Sequence, residues 1–251
     1  MSKTYFISDA HLGSKLMSNK RQHEKKVVSL LNHIQKQGAT SIYFMGDMFD
    51  FWFEYKHVVP KGHLRFLGKL AELSDAGIEL HFFIGNHDIW TFGYLEEEIG
   101  MKVHRTHETI VINGKTCYLA HGDGIYTHEK KFKLLRTIFH NQLCQRLFAM
   151  LPSTWGMTFG LQWSANNRKK ELTQENEYKG EENEPLVKFA KLHESHTHAD
   201  YYIFGHRHIM LDLMIAKECR VIILGDCIQH FSYACIDTNG ELSLHTLTEA
   251  E

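Results

Sequence analysis

The chain has 251 residues, with 28 Lys and Arg against 30 Asp and Glu, a formal net charge of −2, and hydrophobic residues at 43%. That length suffices for one large domain with an insertion, and its core needs no cross-links. The near-neutral balance excludes a strongly basic nucleic-acid binder. The five widely spaced cysteines, with no CxxC pair, exclude a disulfide framework or zinc ribbon and fit a reducing compartment. The apolar start is cut at Asp9 and no run reaches the roughly 18 apolar residues of a membrane span, so neither a signal peptide nor a span is expected.

The elements alternate from the start. Residues 4–7, 41–45 and 80–84 read as buried strands, each ending in a polar cluster. Between them Val27, Leu30, Leu31 and Ile34, and then Leu64, Leu67, Leu70 and Ala71, repeat at helical spacing and stop at Gly38 and Gly77. This βαβαβ order predicts a largely parallel sheet with functional loops at the carboxyl ends of its strands. Residues 109–112 and 116–120 then flank Asn113-Gly114, a hairpin signal. Residues 127–198 carry no strand signal and read as a helical insertion broken by Pro152, Gly156, Gly160, Gly180 and Pro185. Strands at 201–204 and 221–224 follow, and a hairpin around Asn239-Gly240 closes the chain. The expected fold class is α/β: two mixed β-sheets in a sandwich flanked by helices, one domain over 1–251 with a helical lid at 127–198.

Five motifs fall at predicted strand ends: Asp9-Ala10-His11, Gly46-Asp47-Met48-Phe49-Asp50, Gly85-Asn86-His87-Asp88, His121-Gly122-Asp123 and Gly205-His206-Arg207-His208. In extended backbone alternate residues share a face, so Asp9 with His11, and His206 with His208, can each aim two ligands at one point. Imidazole mixed with carboxylate suits Mn²⁺, Fe or Zn²⁺ better than Ca²⁺ or Mg²⁺.

In this order the motifs resemble the calcineurin-like metallophosphoesterase family, with its DxH, GDxxD, GNH, HG and GHxH signature. The resemblance implies two divalent ions per chain, Mn²⁺ being the first choice. One would be held by Asp9, His11, Asp47 and His208, the other by Asp47, Asn86, His121 and His206, with Asp47 bridging both. Two dications, two carboxylates and a hydroxide leave a charge of about +1, which attracts an anionic phosphate. Such a pair would lower the pKa of a water and orient it for in-line attack on phosphorus. By the same resemblance His87 lies near the leaving oxygen as a general acid and Asp50 orients it.

The compact length, the insertion between the fourth and fifth motifs and the Leu224-Gly225-Asp226 run are similar to UDP-2,3-diacylglucosamine hydrolases, which generally carry Arg where this chain has His87. That resemblance implies cleavage of a lipid-linked nucleotide at its pyrophosphate, giving UMP and 2,3-diacylglucosamine 1-phosphate in lipid A biosynthesis. It implies a peripheral enzyme at the cytoplasmic face of the inner membrane, with no nucleic-acid partner. Candidate substrate contacts are Asn86, His87, Asp123, Trp163, Ser164, Asn167, Lys170 and His206. The run from Phe148 to Trp163 offers apolar surface for acyl chains, followed by Arg168, Lys169 and Lys170 for phosphate. The plainer reading of both is packing onto the core and a solvated helix end. Two other functions stay open: a phosphodiesterase acting on another nucleotide or lipid phosphoester, and a non-catalytic scaffold.

Overall fold

The computed structural model describes residues 2–125, 130–173 and 177–247, with side chains described for 2–125, 134–169 and 177–247. The first half of the chain builds β1 (Thr4–Ile7), α1 (Lys20–Lys36), β2 (Ser41–Phe44), α2 (Leu64–Asp75), β3 (Glu79–Phe83), α3 (Tyr94–Ile99) and β4 (Lys102–His104). There follow β5 (Glu108–Ile112), β6 (Lys115–Ala120), α4 (Lys130–His140), α5 (Gln142–Ala149), α6 (Ser153–Thr173) and α7 (Pro185–Glu194). The chain then forms β7 (Tyr201–Phe204), β8 (Met210–Ala216), β9 (Cys219–Leu224), β10 (Ser232–Ile236) and β11 (Leu242–Thr246). Six strands form a mixed sheet in the order β11-β10-β1-β2-β3-β4, and five form a second in the order β5-β6-β7-β9-β8. This is the α/β sandwich of two mixed sheets that the element order predicts.

Strand alternation assigns the layers. In β1, Tyr5 and Ile7 face α1 and α2, while Phe6 turns inward to Tyr43, Met45 and Phe83 and to Leu119, Ile203 and Ile222 of the second sheet. In β7, Tyr201 and Ile203 face the inner layer, and Tyr202 and Phe204 pack under Leu186, Val187 and Ala190 of α7. The helices dock by their apolar faces, Val27, Leu30, Leu31 and Ile34 on α1 and Phe66, Leu70 and Leu73 on α2. Buried Glu24 of α1 accepts from the backbone N–H of Arg65 (2.8 Å) and Phe66 (3.2 Å), so α1 satisfies the first turn of α2, whose own N-cap makes no side-chain bond. The helical stretch expected as one insertion therefore divides. The helix α7 covers the second sheet, and α4, α5 and α6 form the excursion, whose expected start at Thr127 lies outside the described residues.

Both hairpins form, with different turns. Asn113 (φ 48°) and Gly114 (φ 82°) both adopt the left-handed backbone of a two-residue turn. At the second, Ile236 pairs with Leu242, and Asp237 accepts from the N–H of Asn239 and Glu241, widening the loop. The two turns meet: Asn113 Nδ2 donates to Ser2 O (2.8 Å) and Asp237 O (2.6 Å), and Tyr201 Oη donates to Gly240 O (2.9 Å). Edge strand β8 escapes the sequence pattern because its outer face is exposed and its run Met-Leu-Asp-Leu-Met-Ile-Ala is mixed.

A histidine pair joins the neighbouring strands β3 and β4. His81 Nδ1 lies 3.0 Å from His104 Nε2, flanked by Glu79, Lys102 and Glu108 and stacked on Tyr43 at 4.0 Å. Burial, then the charges of His104 and Lys102, hold His81 down at about 4, and burial holds His63 at about 4 as well. The folded chain thus stays neutral at both while the unfolded chain binds protons below the ordinary value near 6.5. Stability is expected to be full above that value and to fall as pH drops from roughly 6.5 towards about 4. Urea midpoints between pH 7.5 and 4.5 check this, with His81→Gln expected to lose less over the window; identical slopes in the two proteins would contradict the assignment.

Candidate metal centre

The site lies at the carboxyl ends of β1, β2 and β3 in one sheet and β6 and β7 in the other. Seven described non-glycine residues have φ in the left-handed region, and five of them are Asp9 (54°), His11 (42°), Asp47 (54°), His206 (67°) and His208 (52°). Such backbone costs of order 1–3 kcal/mol per residue and persists only where surrounding contacts enforce it. Here Asp9 N donates to Gly46 O (3.1 Å), His11 N to Asp47 O (2.9 Å) and Gly205 N to His121 O (2.9 Å), tying each loop to its neighbour. Gly85 is required by packing, since a Cβ there would lie 2.2 Å from Asp47 Oδ1.

Each polar side chain is held by one atom and presents another. Asp9 Oδ2 accepts from Ser8 Oγ (2.5 Å) and His206 N (2.8 Å), leaving Oδ1 buried without a hydrogen-bond partner. Asp47 Oδ1 accepts from His87 N (2.8 Å), and its Oδ2 lies 3.3 Å from His121 Nε2 and 3.8 Å from His11 Nε2. His121 Nδ1 donates to Met45 O (2.7 Å), which turns Nε2 to Asn86 Oδ1 (3.3 Å) and Asp47; burial opposes charge there, but the Asp47 carboxylate raises His121 well above the usual imidazole value in the ion-free chain. His208 is held through Nδ1 by Asp226 (3.2 Å) and turns Nε2 to Asp9 Oδ1 (3.5 Å). The ligand atoms of Asp9, His11 and His208, and of Asp47, His121 and His206, each fall within 4.8 Å of one another. Free, buried and convergent donors of mixed carboxylate and imidazole type fit two divalent ions, with Asp47 between the clusters.

The charges agree. Burial raises the carboxyl of Asp47, but the charges of His121 and His87 and the His121 hydrogen bond hold it well below the usual range. Burial keeps His11 neutral, and burial with the charge of His121 lowers His206 to about 3. Burial lifts the carboxyl of Asp9 above its usual range, against the charges of His208 and His121.

His87 and Asp50 meet differently from the expectation. His87 Nδ1 donates to the backbone carbonyl of Asp50 (2.9 Å), with Ser164 Oγ of α6 at 3.0 Å, whereas the Asp50 carboxylate faces His11 Nδ1 at 3.7 Å. Of the other candidate contacts, Asp123 is half-buried, 3.6 Å from Arg136, and lines a cavity of about 130 Å³ beside His121 with Arg105, His107, Tyr118 and His140. Trp163 is 39% exposed against Phe159 and Phe139, so it lies on the outer side of α6. Asn167 is half-buried, and the Lys170 side chain and His128 lie outside the described residues.

Three supporting groups lie outside the expected ligand set. Asp88 accepts from the N–H of Gly85, Met48, Phe49 and Asp47, binding the second and third motif loops to each other. Asp226 accepts from the N–H of Ile228, Gln229 and His230, and these bonds with His208 hold its carboxyl below the usual range although burial opposes them. Glu184, fully buried, grips Arg207 with both oxygens (2.9 and 3.2 Å), anchoring the last motif to α7. Asp226→Asn is expected to weaken Mn²⁺ binding about 10- to 100-fold with the fold intact. Titration calorimetry on the purified variant measures it, and unchanged affinity would exclude an orienting role for Asp226.

The comparisons agree with this geometry. The family model described as calcineurin-like phosphoesterase matches residues 2–210. A UDP-2,3-diacylglucosamine hydrolase of Porphyromonas gingivalis is 44% identical over 248 residues, covering 94% of both chains. Proteins of the same name from Neisseria meningitidis and Proteus mirabilis are 30% and 29% identical, over 62% of each chain in the first case and about 70% in the second. With a full-length relative at that identity and the signature residues gathered at one pole of the sandwich, the chain belongs to the calcineurin-like phosphoesterase family.

Proposed function

We propose that this protein hydrolyses the pyrophosphate of UDP-2,3-diacylglucosamine to UMP and 2,3-diacylglucosamine 1-phosphate, using two divalent ions, Mn²⁺ by preference. The observation that carries the reading is the pair of ligand clusters beneath α6, with Asp47 Oδ2 of one 3.8 Å from His11 Nε2 of the other, in a chain 44% identical over 94% of its length to a hydrolase of that name. Asp9, His11, Asp47 and His208 would hold one ion and Asp47, Asn86, His121 and His206 the other. When bound, the ions supply Lewis acidity and an ionised water at neutral pH. One water adds across a phosphoanhydride P–O bond, and the departing oxygen leaves as a phosphomonoester.

The protein's own groups position this chemistry. Because a carbonyl oxygen only accepts, the Asp50 carbonyl fixes one proton of His87 on Nδ1, and Nε2, when it carries a second proton, is the atom that donates to a phosphate oxygen or gives that proton to the leaving group. Asn86, Ser164 and Asn167 would offer hydrogen bonds to the substrate, with Asp123 and His206 beside them and Trp163 towards the acyl chains; Lys170 is a further candidate contact whose side chain lies outside the described residues. The excursion exposes Leu143 (65%), Met150 (80%) and Trp155 (70%) along with Leu134, Leu147 and Phe159. A patch of that kind suits acyl chains and the surface of a bilayer. No described helix is long and apolar enough to cross a membrane, which fits peripheral attachment at the cytoplasmic face of the inner membrane.

Incubation with UDP-2,3-diacylglucosamine and Mn²⁺ is expected to release UMP faster than it cleaves bis(p-nitrophenyl) phosphate, with loss in chelator. Asp47→Ala is expected to abolish both activities. His87→Ala should lose most on substrates with poor leaving groups if Nε2 delivers a proton, and equally on all substrates if it only binds phosphate. Cleavage of the control alone would exclude the lipid-linked nucleotide and favour another phosphoester.

A further inference from the structure

Gly156, Gly160, Ser164 and Arg168 recur at four-residue spacing and so share one face of α6. The two glycines set how close that face comes to the core. A Cβ at Gly156 would lie 2.1 Å from Tyr55 Oη, and one at Gly160 2.2 Å from the Phe51 ring. One turn on, Ser164 is buried and reaches His87 Nδ1 at 3.0 Å. The next turn carries Arg168 into the same wall.

Arg168 is 6% exposed, and its Nε and Nη1 are sealed from solvent with no hydrogen-bond partner. A guanidinium does not give up its charge, and leaving it buried and unpaired is strongly unfavourable. Its described surroundings offer no relief. The charge is felt by His11, His208 and His23, each made harder to protonate by it, and imidazoles cannot balance a cation. Asp50 is buried with both oxygens unpartnered, but it faces neutral His11 at 3.7 Å, and no described ion pair joins it to Arg168. A cationic fork in such a position needs an anion with several acceptor oxygens.

We propose that Arg168 is a substrate-binding residue, the group on α6 that receives the oxygens of the substrate's phosphoryl group and so couples docking of α6 to occupancy of the metal centre. This rests on the reading of the site as a phosphoester hydrolase and is independent of the lipid-linked nucleotide as substrate. A buried, unpaired cation stabilises a bound anion at the expense of the empty fold, so site role and structural role predict opposite changes on its removal.

The test compares the full-length protein with Arg168→Met and Arg168→Lys. In chelator, R168M is expected to melt at the same temperature as the parent or higher. With Mn²⁺ loaded and ion content unchanged, calorimetry is expected to show affinity for inorganic phosphate and for UMP reduced at least about tenfold in R168M, with a smaller loss in R168K, which keeps the charge without the fork. A melting temperature several degrees lower with phosphate affinity unchanged would overturn the proposal and make Arg168 a structural strut. Should R168M fail to fold, R168K decides, and parental affinity for phosphate in that protein would likewise overturn it. If UDP-2,3-diacylglucosamine is not hydrolysed and phosphate binding still depends on Arg168, the substrate reading fails and this one stands.

Discussion

The structure depends on dividing each carboxylate of the site between two tasks. Asp47 spends Oδ1 on the His87 amide and turns Oδ2 towards histidines of both clusters. Asp9 does the same, with Ser8 and His206 on one oxygen and nothing on the other. A carboxylate without the anchoring bond would rotate freely, and one whose second oxygen turned away would direct no lone pair at an ion. The left-handed backbone at Asp9, His11, Asp47, His206 and His208 is the conformational cost of bringing each side chain to that pose. The backbone bonds between neighbouring motif loops hold the strained turns in place.

The same arrangement explains why the supporting residues are acids and amides from distant parts of the chain. Asp88 gathers four N–H groups from two loops, and Asp226 gathers three from the turn that follows β9. Each organises backbone that would otherwise be buried unsatisfied, and Asp226 also fixes which nitrogen of His208 is free. Glu184 performs a related task across a longer gap, since it joins α7 to the turn between His206 and His208.

Much of the fold was legible because its signals are local. The first five alternating elements end in glycine and polar residues, and Asn113-Gly114 suits the doubly left-handed backbone of a type I′ turn. The gathering of the motif residues was legible because an ordered series of short motifs at strand ends is unlikely to arise by chance. What escaped is what depends on packing between distant segments. The Asp50 carbonyl, rather than its carboxylate, meets His87, and a sequence does not say which atom of a residue will be used. Arg168 belongs to a basic run whose ordinary fate is a solvated helix end; it is buried because Gly156 and Gly160, which read as helix breakers, let α6 settle on Tyr55 and Phe51. Strand β8 is half-exposed and mixed in composition, so its pattern carries little periodic signal.

The two interlocked turns at Asn113 and Asp237 lie at the pole opposite the metal centre, where Ser2, Asn113, Asp237, Tyr201 and Gly240 join the sheets by hydrogen bonds. At the other pole the candidate ligands come from both sheets, Asp9, His11, Asp47 and Asn86 from one and His121, His206 and His208 from the other. The sandwich is thus built like a book, with its spine at the turns and its clasp at the ions. Removing the clasp frees the fore-edge and leaves the spine bound, so the layers part from the catalytic pole downward, and amide exchange in the ion-free protein should begin at the motif loops while the turn at Asn113 stays protected.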